Sequence, residues 1–453
     1  MVTSLMTQKV ILRDLGDGLV LRRATPEDAQ ALGEFNASIH SDDGPDKPDE
    51  RIDAWTRDLI MGGHPTVNAD DATIVEDTNS GKVVSSVCLI PQTWSYGGIQ
   101  IEVGRLELVA TAPDYRNRGL VRLQFETIHQ WCAQRGEIVQ GVTGIPYYYR
   151  QFGYEMALDL DSCRMGYPIN VPELKDQQEE PFRIRPTLQS DLAFVANLFA
   201  SAGKRYLVHN VFDETMWRYE LDGRSPQNIT RLEWRIIETP GGEYAGILAH
   251  PPFNWGRGTT LMAMAYEVAP GYSWAAVSPS VIRYLAATGR ENAARQPGST
   301  FGAFGFWLGR EHPVYDVVRE RTPRYREPYA WYLRVPDVPG FIRQVAPALE
   351  RNLQSSAFAS YTGDVKITFY RSGFKLSLTD GCLSDIQPWN PEPQGYSGDA
   401  GFPDLTFLQL LFGYRSLQEL EYAFPDCWCS HDDARGLLNG LFPKKISHVL
   451  PVA

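Results

Sequence analysis

Cysteine is scarce. Six residues in 453, Cys88, Cys132, Cys163, Cys382, Cys427 and Cys429, show none of the spacing of a disulfide framework. Long apolar runs are missing too, and nothing approaches the roughly 18 consecutive apolar residues of a membrane span. Near the N-terminus only Val10-Ile11-Leu12 precedes Asp14 and Asp17, too short an apolar core for a secretory signal, so the expected location is the cytoplasm. A basic excess is also lacking. Lys and Arg number 43 against 55 Asp and Glu, giving a net charge of −12 and a pI near 5.3. Phosphate backbones call for clustered cations, so nucleic acid is not the expected partner, whereas a negative field concentrates amines. What is present is globular: 43% hydrophobic, 12% aromatic and 22% charged residues. The length suits about three domains of roughly 100–200 residues.

Two segments read as starts of the same unit: Leu19-Val20-Leu21-Arg22-Arg23-Ala24-Thr25-Pro26-Glu27-Asp28 and Phe182-Arg183-Ile184-Arg185-Pro186-Thr187-Leu188-Gln189-Ser190-Asp191. Each is a short strand ending in Arg-x-Thr, then a polar turn and an amphipathic helix. Thr25 suits a cap, Pro26 the first helical position, and the acids the positive end of the dipole. Ala112-Pro113-Asp114-Tyr115 and Ala269-Pro270-Gly271-Tyr272 each follow a strand-like run. Arg23 and Arg185 stand 162 positions apart and Pro113 and Pro270 stand 157 apart, which points to a duplicated α/β unit. After Pro336 the texture changes. Val338-Pro339-Gly340 reads as a linker, 341–353 as a helix, 365–370 and 374–378 as a hairpin, and 388–403 as loop. Helices opening at Phe407 and spanning 437–442 complete a small α+β unit.

The strongest local signal is Leu106-Glu107-Leu108-Val109-Ala110-Thr111-Ala112-Pro113-Asp114-Tyr115-Arg116-Asn117-Arg118-Gly119-Leu120-Val121-Arg122. A strand, a turn with Gly at the helix mouth, and a long helix ended by Gly136 expose backbone N–H groups as an anion seat. Arg116, Arg118 and Arg122 add charge-assisted bonds. The natural guest is a pyrophosphate. The next strand leads through Gly144 to Tyr147-Tyr148-Tyr149-Arg150-Gln151-Phe152-Gly153-Tyr154.

With these motifs the first domain resembles the GNAT acyltransferase superfamily. Ala112-Pro113-x-Tyr115-Arg116-x-x-Gly119 is similar to its coenzyme A loop, and the Tyr149-to-Tyr154 stretch to the turn closing its catalytic half. Val121 stands where most such loops have Gly or Ala. The whole chain resembles the Eis-type (enhanced intracellular survival) branch, on the added evidence of Phe402-Pro403-Asp404-Leu405-Thr406-Phe407-Leu408-Gln409-Leu410-Leu411-Phe412-Gly413-Tyr414-Arg415-Ser416. The resemblance implies an α/β (α+β) fold of two tandem GNAT-like domains: a catalytic one over 1–170 and a degenerate one over 171–336. A sterol-carrier-like α+β domain over 337–453 follows. The second repeat has Ser273-Trp274-Ala275-Ala276 where the first has Arg116-Asn117-Arg118-Gly119, so it is read as scaffold.

The implied activity is acetyl transfer from acetyl-CoA, a co-substrate, to a primary amine on a small molecule or peptide. The implied assembly is a homo-oligomer, a hexamer as in that branch. Val109, Ala110 and Thr111 would pair with the pantetheine amides. Asn117, Arg118, Gly119, Leu120, Val121 and Arg122 would hold the pyrophosphate with Arg116, and Gly144 and Ile145 would flank the thioester. Tyr149, three residues before Phe152, falls at the branch's catalytic tyrosine and would act as general acid. The base would be the terminal carboxylate, here Ala453, although the branch's example ends in a bulky aromatic. Glu107, two residues before Val109 on the same strand, is the alternative through a water. No metal is expected: Cys427-Trp428-Cys429-Ser430-His431 lacks the second pair of a zinc site. His312 reads as structural. The acid-rich stretch 42–50 reads as a solvated loop that would attract a cationic amine. The competing function is a non-catalytic acyl-CoA or lipid carrier.

Overall fold

The computed structural model describes residues 9–451, except 176, 296–297 and 393–396. The first segment runs β1 (Ile11–Gly16), β2 (Leu19–Arg23), β3 (Ala72–Asp77), β4 (Lys82–Tyr96), β5 (Ile99–Thr111), β6 (Val139–Val142), β7 (Glu155–Leu160) and β8 (Cys163–Gly166). Helices α1 (Ala29–Ile39) and α2 (Glu50–Ile60) lie between β2 and β3, and α3 (Leu120–Arg135) lies between β5 and β6. Helix α1 starts as the sequence dictates: Thr25 is extended, and the Asp28 carboxylate accepts its N–H at 2.8 Å. Asp49 caps α2 through the Arg51 N–H, which gives one acid of the 42–50 stretch a structural role.

The second segment runs β9 (Arg183–Pro186), β10 (Val208–Asn210), β11 (Glu233–Glu238), β12 (Tyr244–His250), β13 (Thr260–Ala263), β14 (Ala265–Val268), β15 (Ala303–Phe306), β16 (Arg324–Arg326) and β17 (Tyr329–Arg334). The third has β18 (Gly363–Thr368), β19 (Gly373–Thr379), β20 (Cys382–Trp389), β21 (Ala400–Gly401) and β22 (Trp428–Cys429). The architecture is mixed α/β with several sheets, as expected.

The sheets do not follow the chain segments. The first is β1-β2-β3-β4-β5-β6-β17-β7, with β10 also pairing β4. The second unit has two sheets, β14-β12-β11-β9 and β13-β15-β8-β16. Strand β17 thus lies between β6 and β7, antiparallel to both, while β8 lies between β15 and β16. Segment 171–336 lends β10 and β17 to the first sheet, and segment 1–170 lends β8 to a sheet of the second unit. Trp331 of β17 is fully buried and packs edge-on against Trp94 of β4, ring centroids 5.6 Å apart. Burial of such a side chain contributes about 1.5–3 kcal/mol, so the exchange ties the units firmly.

The duplication is visible in side chains. Arg22 meets Asp28 through two bonds of 2.7 Å and Glu76 through its Nε at 2.5 Å. Arg185 meets Asp191 at 2.6 and 3.1 Å and Glu238 at 2.8 Å. The partner of Arg185 is therefore Arg22, one residue before the Arg23 matched in the sequence. Arg22 faces inward, while Arg23 turns to Trp131, its guanidinium 3.8 Å from the ring centroid.

In the third unit the reading of 338–340 as a linker is wrong. These residues form the first turn of helix Val338–Gln354, because Asp337 accepts the Gly340 N–H at 2.9 Å and Pro339 suits an N-terminal helical position. The 365–370 and 374–378 hairpin is present as β18–β19. Part of the 388–403 segment lies outside the described residues, and the rest includes the end of β20 and all of β21. The third unit packs on the first sheet through Tyr96, Phe341 and Phe412. The chain then returns as an extended segment beside β10: Leu207 N–H donates to Ile446 O at 2.8 Å and His448 N–H to Val208 O at 2.9 Å.

Candidate active site

Strands β5 and β6 pair in parallel from Val103–Val139 to Leu106–Val142, and then β5 continues alone to Thr111. A bulge marks the parting. Glu107 faces Cys88 across β4, yet Ala110 faces Ser86, so β5 carries one extra residue. Leu108 absorbs it at φ 52°, in the left-handed region. The bulged backbone is held from β4, where Ser86 Oγ donates to Leu108 O at 3.2 Å and Ser85 Oγ to Ala110 O at 2.8 Å. Simple alternation therefore does not relate Glu107 to Val109, as the sequence reading assumed, although both face the gap. The gap is a cleft of about 920 Å³, lined by β5 from Leu106 to Thr111, by the turn into α3 and by the Gly144-to-Phe152 turn.

One wall is the start of α3. Gly119, its N-cap, has φ 75° and open space where a Cβ would stand. The first amide to find an acceptor within the helix is that of Leu123, on Gly119 O at 3.2 Å. The amides of Leu120, Val121 and Arg122 precede it and have no intrahelical acceptor. Arg116 and Arg122 line the cleft, and Arg122 is steadied by Gln151 at 3.0 Å. This donor set fits a pyrophosphate: orphan amides, a helix's positive end and two guanidinium groups. Arg118 does not line the cleft. Its guanidinium stacks on Tyr115, 4.9 Å from the ring centroid, and donates to Asp114 O at 3.2 Å.

The opposite wall carries Tyr149. Its ring is 3% exposed and packs among Phe125, Tyr148, Tyr154 and Tyr332. Its hydroxyl lies beside Gly144, 3.5 Å from where a Cβ there would stand, and makes no hydrogen bond among the described residues. Burial, with Glu107 nearby, raises this phenol above its ordinary value, so it stays protonated at neutral pH. The other tyrosines of the run divide by role. Tyr154 is fully buried with its hydroxyl on His129 at 2.8 Å, and Tyr147 is exposed. Glu107 shares one carboxylate oxygen with Arg105, at 2.9 Å from Nε and 2.5 Å from Nη2.

Residues 22–157 match the family described as Acetyltransferase (GNAT) domain. This stretch is a GNAT acetyltransferase domain. Over the whole chain the fold is similar to that of a GCN5-related N-acetyltransferase from Anabaena variabilis, with 12% identity over 96% of this chain and 100% of that one and a TM-score of 0.63. It is similar to a GCN5-related N-acetyltransferase from Kribbella flavida, with 17% identity, 96% and 98% covered and a TM-score of 0.61. Eis1 from Mycobacterium abscessus matches with 12% identity, 96% and 100% covered and a TM-score of 0.56. At such identities the likeness is one of fold. Comparison with curated protein sequences gives no match.

The cleft of the GNAT domain brings together Glu107, Val109, Ala110, Thr111, Arg116, Asn117, Gly119, Leu120, Val121, Arg122, Gly144, Ile145 and Tyr149. Ala453 lies outside the described residues. The sequence reading missed His40, which follows α1 and also lines the cleft. Its Nε2 is buried with no partner among the described residues, and burial lowers its imidazole below the ordinary value against the opposing pull of Glu107. Its only sequence signal is its place at the end of the first helix, beside the acid-rich loop. His431 caps the helix that begins at Asp432, accepting the Ala434 N–H at 3.1 Å. Among the described residues no group of three or more His, Cys, Asp or Glu could hold a metal, and no helix is long and apolar enough to cross a membrane. A larger hollow of about 1260 Å³ lies where the three units meet and is lined by none of these cleft residues.

Proposed function

We propose that the protein is an acetyl-CoA-dependent N-acetyltransferase of the Eis type, acting on a primary amine. The observation that carries this reading is the position of the Tyr149 hydroxyl, without a hydrogen-bond partner among the described residues, in the same cleft as the anion seat of α3. Acetyl-CoA enters as co-substrate. The amides of Leu120, Val121 and Arg122, with Arg116 and Arg122, hold its pyrophosphate. The freed edge of β5 at Val109, Ala110 and Thr111 takes the pantetheine arm, and Gly144 and Ile145 flank the thioester. The amine nitrogen attacks the carbonyl carbon, the new C–N bond forms and the C–S bond breaks. The ammonium proton passes to a base, and Tyr149 gives its proton to the departing sulfur. The base is a carboxylate, either Glu107 through a water or that of Ala453. In support of the second, the 446–450 segment runs beside β10 in the direction that leads along β4 from Tyr96 toward Cys88, the residue that faces Glu107. The third unit is read as sterol-carrier-like and the assembly as a homo-oligomer.

The carrier reading has less behind it: the third unit's hollow, about 310 Å³ between Phe369, Phe374 and Phe407, is small for a lipid tunnel. The deciding experiment is thiol release from acetyl-CoA against a panel of aminoglycosides, polyamines, lysine and peptide N-termini. Amine-dependent release is expected. Tight acetyl-CoA binding with no release across the panel would leave the carrier reading in its place.

A further inference from the structure

The turn that carries Tyr149 has little of its own to hold it. Tyr148–Phe152 is a short 3₁₀ helix, entered through Tyr147 at φ 59° and left through Gly153 at φ 86°. A left-handed tyrosine is disfavoured and persists only where its surroundings enforce it. The enforcement comes from β17, a strand lent by the second segment. The Tyr147 N–H donates to the Tyr332 hydroxyl at 2.7 Å, and that hydroxyl also meets Tyr329 at 3.0 Å. The Tyr332 ring is fully buried and packs edge-on against Tyr149, centroids 5.6 Å apart. Arg334, two residues along, borders the other end of the turn: a Cβ at Gly153 would stand 3.5 Å from its Nε. Register locks the arrangement, since Tyr332 faces Val142 on β6 and Met156 on β7, the strands on either side of the turn.

We propose that Tyr332 is a positioning residue for the general acid, so that the segment whose own coenzyme seat is lost completes the active site of the first. The proposal rests on the N-acetyltransferase reading for its kinetic part only. It acts through the hydroxyl, which fixes the Tyr147 backbone and with it the angle at which Tyr149 reaches Gly144. It does not touch either substrate.

The test is Tyr332→Phe, which keeps the buried ring and removes the anchor. Turnover should fall about 10- to 100-fold, as expected for a displaced catalytic group, with acetyl-CoA affinity unchanged. In a Tyr149→Phe background the same substitution should bring no further loss, because the group it positions is already gone. Hydrogen exchange at the Tyr147 amide should rise at least several-fold while the β4–β5 amides keep their protection. Wild-type turnover, or an equal loss in both backgrounds, would overturn the proposal, as would an unchanged Tyr147 exchange rate. If the wild-type chain transfers acetyl to no amine, the function reading fails and the exchange measurement still decides the anchor.

Discussion

Where the first unit has a cleft of about 920 Å³, the matching place in the second, between β14 and the end of β15, has about 30 Å³. The frames are alike. Each unit keeps an arginine clamped to an aspartate and a glutamate, and in the second Arg185 holds Asp191 down to about 2. The strands also part in both, β13 and β14 joining different sheets on either side of Met264. What differs is what fills the gap. Trp274 stands at the start of the second unit's long helix, Trp274–Arg295, and packs against Tyr266 and His312, at 5.0 and 5.2 Å. His312, Glu267 and the incoming His448 and Leu450 occupy the rest. The tyrosine after the strand differs as well. Tyr315 has its hydroxyl engaged by Leu308 N–H at 3.2 Å and the carbonyls of Phe306 and Gly309 at 3.1 Å, whereas that of Tyr149 faces open cleft. The clamp is common to both units, whereas the open gap, with a tyrosine hydroxyl unpaired among the described residues, belongs to the first.

The sharpest way to break this contrast is to remove each hydroxyl in turn. Tyr149→Phe should lower turnover by about 10²- to 10⁴-fold, the usual contribution of a general acid, while acetyl-CoA affinity and thermal stability stay near wild type. Tyr315→Phe should do the reverse. It leaves the Leu308 N–H without its acceptor in a buried site, which costs about 1–3 kcal/mol, and turnover at a temperature where the fold holds should be unchanged. Steady-state kinetics beside thermal melts decide it. A Tyr149→Phe enzyme within a few-fold of wild type would reduce Tyr149 to a packing residue.

A second pair addresses the anion seat. Gly119→Asp places a carboxylate among the orphan amides of α3, at a left-handed position that Asp tolerates better than most residues. Acetyl-CoA affinity should drop by about 10- to 100-fold, the worth of one or two hydrogen bonds to a charged group. Ala276 is the second unit's counterpart of Gly119 and is exposed near the start of its helix. Ala276→Asp should leave affinity alone in a calorimetric titration. Equal losses from both would mean that the second unit also holds coenzyme.

How far the sequence reaches can be judged on these residues. The turn from Ala112 to Arg122 was legible because its signals are local: a proline, an arginine pair and a glycine at a helix mouth dictate geometry within one turn. The β18–β19 hairpin was legible for the same reason. The strand exchange was not. Residues 163–166 and 329–334 read as short strands in any arrangement, and which sheet takes them is settled by distant partners such as Trp94. The duplication was found one residue out of register, because Arg22 and Arg23 are adjacent and only burial tells which points inward. His40 escaped because a lone histidine carries no spacing, and the Leu108 bulge because a leucine at positive φ leaves no mark on the pattern.

The smallest expected effect concerns the second unit as scaffold. His250 on β12 is 1% exposed. Its Nδ1–H donates to Pro251 O at 2.8 Å and its Nε2 accepts from the Tyr284 hydroxyl at 3.0 Å, which in turn accepts from Arg235 at 2.8 Å. This is the neutral imidazole with both nitrogens satisfied. Burial, aided by Arg235 and opposed by the Pro251 carbonyl and Glu233, lowers its pKa from 6.5 to about 4. The unfolded chain therefore takes up a proton in this range that the folded chain refuses. The stability involved is fully present above the ordinary histidine value and is lost as pH falls toward about 4. At pH 5.5 the loss from this one group should be about 1 kcal/mol. His250→Gln offers a donor and an acceptor in place of the two ring nitrogens but does not titrate. Its urea midpoint should fall less than that of the wild type between pH 7 and 5.5, by the equivalent of about 1 kcal/mol. Because β8 and β17 are exchanged between the units, the loss should appear in a single transition that also carries the first unit's tyrosine turn. Parallel pH slopes for the two proteins would show that His250 is not the group that makes the scaffold acid-sensitive.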